Sequence, residues 1–143
     1  MMLSALMLLV SIAQPAVELA DVIERDVRAI HRVPPEYPYF PASAGATAIC
    51  TGVFDTNASG RPINMCMRCA TRVEMALSEP ARELVAAQFV QASEVALDQW
   101  RYGEPHLGRQ GMSATLVYHL ADQTEDDLPE HPELGECLGP YIS

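Results

Sequence analysis

Basic residues are scarce in this sequence. Lys and Arg together number nine against 19 Asp and Glu, which gives a formal net charge of -10. Proteins that bind nucleic acid need a basic surface, because their affinity comes from neutralising phosphates and releasing counterions. The charge balance therefore predicts that the chain binds no nucleic acid.

Catalytic motifs are missing as well. The sequence has no nucleophile elbow, no His-Glu-x-x-His helix, no phosphate-binding loop and no paired carboxylates in a structured segment. Cys66-Met-Arg-Cys69 has the spacing of half a zinc site, but structural zinc needs four ligands and a second pair is absent. A redox Cys-x-x-Cys begins a helix, whereas these cysteines fall in a predicted strand. We predict no enzymatic activity, no metal and no cofactor, and keep a metal or redox protein built on Cys66 and Cys69 as a third hypothesis.

No apolar run is long enough to span a membrane, which takes about 20 residues. Residues 1–13, MMLSALMLLVSIA, instead have the length of the apolar region of a signal peptide, although they include no Lys or Arg that could form its usual basic start. Ser11 and Ala13 suit a cleavage site, and Ala16 is an alternative. We predict a signal peptide at residues 1–16 and a periplasmic or secreted protein, which would be associated with the inner membrane if the segment is not cleaved. A buried cytosolic helix is the remaining alternative.

Hydrophobic spacing predicts a helix after this leader. Apolar residues recur at helical intervals while charged residues take the opposite face. The apolar set is Ala20, Ile23, Val27 and Ile30. Pro34 and Pro35 end the pattern. We predict an amphipathic helix over residues 17–33, followed by an extended proline-rich segment over residues 34–45 on the surface.

In the next part of the chain, the residue pattern predicts a β-hairpin followed by a second helix. Residues 48–56 and 62–70 alternate as strands do, and the turn between them ends in Gly60, which tolerates a positive φ. Ser78 is a suitable N-cap for a helix that continues to about Trp100. The apolar residues that keep helical spacing in it are Leu84, Phe89, Ala92, Ala96 and Trp100.

A third strand, predicted over residues 112–120, completes the sheet. The helix that follows the second strand runs back along the sheet, so the third strand starts from the same end as the second and is parallel to it. When the third strand lies beside the first strand, it is antiparallel to that neighbour, and the sheet has the order second, first, third. We predict an α+β domain over residues 34–121, with the helix on one face, Phe89 and Trp100 as its large core residues, and the third strand as an open edge. Residues 122–143 are acidic and are predicted to form a solvated, partly disordered tail.

Four cysteines in a small exported chain indicate disulfides, because they meet an oxidising compartment. If Phe54 faces Met65, the register of the hairpin places Cys50 opposite Cys69, and directly opposed positions bring Cβ atoms close enough for a disulfide. Cys66 points to the other face, and its remaining partner is Cys137, carried back by the tail. We predict both pairs. Free buried thiols are the alternative for each.

Residues 35–120 resemble the C-terminal domain of TonB-family proteins. The features that carry the resemblance are a proline-tyrosine entry, a hairpin with Phe-Asp before the turn and Gly-Arg-Pro after it, and Trp-Arg-Tyr after the main helix. In this chain they are Pro35-Glu-Tyr-Pro38, Val53-Phe-Asp55, Gly60-Arg-Pro62 and Trp100-Arg-Tyr102, before a closing strand through Tyr118 and Leu120. The resemblance covers over half of the chain. It implies a periplasmic domain that binds short extended peptides of outer-membrane receptors as part of energy transfer from the inner membrane.

The open edge and the resemblance together predict where a partner binds. An unpaired edge offers backbone donors and acceptors to an extended peptide, and alternating side-chain pockets give selectivity. The partner-binding residues on the third strand are then Ser113, Thr115, Val117 and His119. The predicted partner is a protein or extended peptide, such as a segment of an outer-membrane receptor, and the same edge would allow a homodimer. The alternative function is a small secreted structural or inhibitory protein, stabilised by disulfides, with no role in transport.

Overall fold

The structure is a computed structural model, and it describes residues 14–20 and 28–138 of the 143-residue chain. In chain order its elements are β1 (Pro15–Ala20), α1 (Tyr39–Ser43), β2 (Thr47–Thr56), β3 (Pro62–Arg72), α2 (Glu79–Asp98), β4 (Met112–Leu120), a 3-10 turn (Glu125–Asp127) and α3 (Gly135–Leu138). The predicted class, a small α+β domain with an antiparallel sheet and one main helix, is confirmed.

The strands form one antiparallel sheet in the order β1-β4-β2-β3. The predicted order of three strands is present within it as β3-β2-β4, because β4 returns beside β2 with Ser113 opposite Val53 and Tyr118 opposite Ala48. The predicted number of strands is wrong. β1 pairs with the outer side of β4, so β4 lies inside the sheet and is not its edge.

The predicted helix over residues 17–33 is wrong wherever the structure describes that segment. Residues 17–20 belong to β1, residues 28–33 contain no helical turn, and residues 21–27 lie outside the described residues. In β1 the side chains alternate with a period of two, and its central aliphatic side chains pack toward the core. Pairing with β4 therefore overrides the helical spacing of this segment.

Turn residues build the hairpin between β2 and β3. Asn57 Oδ1 accepts hydrogen bonds from the backbone N–H groups of Ser59 and Arg61, each at 2.9 Å. Gly60 has a φ of 78°, and a Cβ at this position would lie 1.9 Å from the carbonyl oxygen of Tyr102. The Tyr102 N–H donates to the Gly60 carbonyl at 2.8 Å, which holds the two segments together. Glycine is therefore required here both for the positive φ and for the close backbone approach.

Helix α2 begins at the predicted N-cap, where Ser78 Oγ accepts a hydrogen bond from a first-turn backbone N–H at 3.3 Å. The buried face of the helix consists of Val85, Phe89, Ser93, Ala96 and Leu97. Leu84, predicted to belong to this face, is half exposed. Just beyond the helix, Trp100 is completely buried, and its Nε1–H donates to the Val33 carbonyl at 2.9 Å. The predicted helix and its indole anchor are both present.

Aromatic rings form the centre of the core between α2 and the sheet. Phe89 of α2 packs on Tyr118 of β4 with ring centroids 4.8 Å apart. Tyr37 makes edge contacts with both rings, at 5.7 Å and 5.5 Å. The proline-rich segment is thus anchored to the core by Tyr37, and it ends in the short helix α1 rather than staying extended as predicted.

The acidic tail is joined to the sheet by hydrogen bonds and by a disulfide. Thr47 Oγ1 donates a hydrogen bond to the Asp127 carbonyl at 2.6 Å. Cys137 is buried and is joined to Cys66 of β3. The tail therefore runs back across the sheet face opposite α2, as the predicted pair of Cys66 and Cys137 requires, while acidic residues such as Glu125 and Asp126 are exposed.

Candidate functional site

All four cysteines form disulfides, in the two pairs predicted from the sequence. Cys50 and Cys69 face each other across β2 and β3 with Cα atoms 4.0 Å apart, and Cys66 joins β3 to Cys137 with Cα atoms 5.5 Å apart. Disulfides persist in oxidising environments, so they indicate the periplasm or the extracellular space. Cys66 and Cys69 belong to different disulfides, which leaves neither thiol for the zinc or redox site of the third hypothesis.

Two further findings apply to residues 14–20 and 28–138. Within these ranges, no helix is long and apolar enough to cross a membrane. The same residues contain no group of three or more His, Cys, Asp or Glu side chains that could hold a metal ion. The apolar leader, residues 1–13, lies outside them, so the signal peptide stays a prediction.

The predicted partner-binding residues lie along β4 on the sheet face opposite α2. They are Ser113, Thr115, Val117 and His119. On one side β4 pairs with β2, and on the other side β1 pairs with residues 115–120, so the predicted open edge is wrong. An edge strand exposes unpaired backbone donors and acceptors, and here a short strand of the same chain covers them. Ser113 lies beyond the end of β1, whose last residue pairs with Thr115.

Two of these four residues, Ser113 and Thr115, are buried in the protein. Thr115 Oγ1 hydrogen-bonds to Thr51 Oγ1 at 2.9 Å, and both residues are buried. Ser113 is buried as well. Val117 and His119 are half-buried and line a cavity of about 520 Å³ between β1 and the tail. Only Val117 and His119 are therefore placed to contact a ligand through their side chains.

His119 faces a carboxylate of β1. Its Nε2 lies 3.5 Å from Oε1 of Glu18, and the two side chains are 23% and 69% exposed, respectively. Glu18 is directly opposite Val117 in the register, so its contact with His119 is diagonal. His131 and Glu125 of the tail line the same cavity. Ile49, Leu128 and Pro129 line it as well, so the side of this edge that faces the tail combines apolar surface with charged groups.

The other side of β1 is apolar. Val17 lies opposite Tyr118 and Leu19 lies opposite Leu116, and both aliphatic side chains pack against the core. Val17 also lines a cleft of about 560 Å³ whose far wall is the proline-rich segment at residues 34–37. A strand that pairs with β4 thus meets the hydrophobic core toward α2, where Glu36 also lines the cleft, and a cavity with both apolar and charged residues toward the tail.

The hydroxyls of Tyr37 and Tyr118 are both hydrogen-bonded within the protein. Tyr37 Oη donates to the Ala46 carbonyl, and the Tyr118 and Ser93 hydroxyls are hydrogen-bonded at 2.8 Å. Burial raises the pKa of Tyr118 to about 12, against the lowering effect of the Ser93 hydrogen bond. Burial, and to a lesser extent the neighbouring Tyr118, raises the pKa of Tyr37 well above its ordinary value. Both rings are therefore neutral near pH 7, while Glu36 of the proline-rich segment adds a carboxylate to the lining of the cleft.

A groove of about 680 Å³ between the proline-rich segment and α2 is a surface that the sequence did not reveal. Tyr39 and Val95, which line it, are 87% and 60% exposed. The available signal was the aromatic content of the proline-rich segment. Tyr37 of this segment packs against the core, whereas Tyr39 points to solvent.

No protein-family model, no curated protein and no solved structure matches this chain. The resemblance to the TonB C-terminal domain therefore rests on residues of the sequence alone. Among those residues, Trp100 and Tyr102 are buried in the core and Gly60 forms the hairpin turn. These are structural roles, so the partner has to be inferred from the β4 edge.

Proposed function

We propose that this protein is a non-catalytic binding module outside the cytoplasm that takes an extended peptide by strand addition to β4, in the place that β1 occupies. The supporting observation is the pairing of β1 itself, in which Pro15 is opposite Leu120 and Ala20 is opposite Thr115 in one unbroken antiparallel register. In strand addition, main-chain hydrogen bonds supply affinity and alternating side chains supply selectivity. A strand that accepts one short segment in this way has the geometry to accept another.

β1 is held less firmly than the other strands. None of the side chains of residues 14–19 is fully buried, whereas β2, β3 and β4 all contain buried residues. Its packing is mainly against β4. Segments with little buried apolar surface open at a lower free energy than the whole domain unfolds. β1 would therefore leave β4 while the disulfide-bonded remainder stays folded, and a partner segment would replace it.

The wider role in this proposal comes from the resemblance. A TonB-like domain would act in energy transduction or transport across the outer membrane, with a segment of an outer-membrane receptor as the extended peptide. The support is the order and spacing of Val53-Phe-Asp55, Gly60-Arg-Pro62 and Trp100-Arg-Tyr102 in the sequence. A helix packed on an antiparallel sheet is compatible with such a domain.

A second candidate function is that of a small secreted structural or inhibitory protein. Two disulfides and the coverage of β4 by β1 favour it, because proteins commonly shield strand edges against association. In this case β1 would be a permanent part of the sheet. The two candidates differ in whether β1 exchanges with a strand from another chain.

Site-directed photocrosslinking distinguishes these candidates. A photoreactive amino acid replaces Val117, which lies directly opposite Glu18 of β1, and the oxidised full-length protein is irradiated in a periplasmic extract. We expect an adduct with a second polypeptide, and mass mapping should place one extended segment of it beside β4. The same photoreactive amino acid at Leu84, half exposed on α2, is the control and should not give this adduct. Crosslinks from position 117 to the chain's own β1 alone would refute strand addition and leave the structural candidate.

A further inference from the structure

We infer that the β4 edge selects extended segments with the order aliphatic, acidic, aliphatic, and that Val17-Glu18-Leu19 is the copy of this ligand that the chain itself carries. The inference rests on the proposed function, since it names the class of peptide for the same edge. The two sides of β1 meet different chemistry, and each side selects for different residues.

The side of β1 that faces α2 selects for aliphatic residues. Val17 lies opposite Tyr118 and Leu19 opposite Leu116, and both of these β4 residues are completely buried. Tyr37, in edge contact with Tyr118 at 5.5 Å, helps to close the cleft beside Val17. A charged side chain in either place would lose hydration against the core, and an acid in place of Val17 would also share the cleft with the Glu36 carboxylate. Two aliphatic residues, one on each side of a polar one, therefore match this surface.

The side that faces the tail favours an acid in the middle position. The Glu18 carboxylate lies 3.5 Å from His119 Nε2, and His131 lines the same cavity. Glu125 lines it too, and the Glu18 side chain is mostly exposed, so the gain from the acid is modest. A polar contact as exposed as this one changes an equilibrium constant by at most about five-fold. The acid adjusts selectivity, while the aliphatic residues supply most of the side-chain contribution.

Register makes the order of the three residues recognisable. Side chains alternate between the two faces of a sheet, so a slip of one residue would put the acid against the core and the aliphatic residues on the side of His119. The register seen here places Val17 opposite Tyr118. A partner segment of this chemistry docks in that register, with its acid next to His119.

Peptide binding in trans tests this selectivity. The probe is a fluorescent synthetic peptide with the sequence of residues 14–20, and the receptor is the oxidised full-length chain with Val17→Asp and Leu19→Asp, which keep the chain's own strand off the edge. We expect the probe to bind this receptor at least about ten-fold more tightly than it binds the wild-type chain, in which β1 competes. A receptor with Val17→Ser and Leu19→Ser gives the same comparison if the Asp receptor does not fold.

Changed probes separate the two sides of the edge. Replacing Glu by Gln in the probe should weaken binding about three-fold, and this difference should vanish in a receptor that also carries His119→Gln. Replacing the Val or the Leu of the probe by Asp should weaken binding by more than about ten-fold. A scrambled probe of the same composition is the matched control and should bind no better than the Asp probes.

The results also distinguish the selectivity from the proposed function. Equal affinity for all the changed probes overturns the selectivity and leaves strand addition in place. A Glu-to-Gln difference that persists in the His119→Gln receptor overturns the role of His119. No binding of any probe to a receptor that circular dichroism shows to be folded refutes strand addition at this edge, and the selectivity with it.

Discussion

Cys50 and Cys69 lie directly opposite each other on β2 and β3, and their disulfide fixes the register of the hairpin. The same register turns Cys66 to the other face of the sheet, where Cys137 of the tail reaches it. Closer to the turn the register shifts at a bulge, and Asn64 there takes a φ of 52°. One disulfide therefore joins neighbouring strands, while the other holds the tail against the face opposite α2.

Removing the two disulfides should reduce stability by different amounts. The sequence separations are 19 for Cys50–Cys69 and 71 for Cys66–Cys137. Loop-closure entropy predicts losses of about 3 kcal/mol and about 4 kcal/mol in the free energy of unfolding, respectively. Urea unfolding of the two double-alanine variants measures both losses. If the second loss is smaller than the first, the packed tail contributes less than the length of its loop implies.

Trp100 is predicted to anchor the core. Trp100→Ala should cost about 3 to 5 kcal/mol of unfolding free energy, because the indole is completely buried and its removal leaves a cavity. Trp100→Phe keeps most of the buried surface but removes the Nε1 donor to the Val33 carbonyl, with an expected loss of about 1 to 3 kcal/mol. Urea midpoints give both values. A loss below about 1 kcal/mol for the alanine variant would be inconsistent with a core anchor.

Gly60 and Gly108 provide a matched pair of substitutions. Both have a positive φ, 78° and 64°, respectively. A Cβ on Gly60 would lie 1.9 Å from the Tyr102 carbonyl oxygen, whereas a Cβ on Gly108 would meet nothing within 4 Å. Gly108→Ala should therefore cost only backbone strain of about 1 kcal/mol. Gly60→Ala should cost at least about 2 kcal/mol more, because the hairpin turn must move away from Tyr102. Thermal unfolding followed by circular dichroism compares the two, and equal losses would contradict the close approach.

The buried Tyr118 should limit the stability of the folded protein at high pH. Burial raises its pKa in the folded state to about 12 from the ordinary value of 10.0, so the folded protein holds this proton more tightly than the unfolded chain does. The resulting stability is complete below about pH 10 and is lost as the pH rises through about 12. Tyr37, whose pKa burial also raises, adds to this loss. Urea midpoints should fall steeply over that range in the wild type and less steeply in Tyr118→Phe. The exposed Tyr39→Phe is the control, and a slope in Tyr118→Phe equal to that of the control would contradict the prediction.

The hairpin, α2 and β4 were predictable because local signals and pairing rules agree in this part of the chain. Gly60 ends the turn, Ser78 caps the helix, and the alternation of the strands places each face. The register of the hairpin then places Cys50 opposite Cys69, which is why their disulfide was predictable. Composition alone does not place the acidic tail, because a disulfide and the hydrogen bond from the Thr47 hydroxyl to the Asp127 carbonyl decide its position.

β1 was not predictable from the same signals. The alternation of residues 15–20 is too short to outweigh a helical spacing that continues through Ile23 and Val27. The pairing that decides the structure involves β4, which lies far along the chain. A helix in place of β1 leaves β4 as an edge, so the error in the predicted site follows from the error in the fold. The face shared by Val117 and His119 was nevertheless predictable, because it depends only on the alternation within β4.

Local release of β1 should be measurable by hydrogen exchange. Alternate amides of β4 face β1 and β2, and the amides that face β1 should exchange at least about ten-fold faster, because β1 opens without unfolding of the domain. Leu19→Ala should accelerate the amides that face β1 by about a further ten-fold and leave those that face β2 unchanged, since Leu19 packs its half-buried side chain on the core. Leu84→Ala, at a half-exposed position on α2, is the matched control and should change neither set. If both sets of β4 amides exchange at one rate and respond equally to Leu19→Ala, β1 is released only when the whole domain unfolds, and a partner strand cannot replace it in the folded protein.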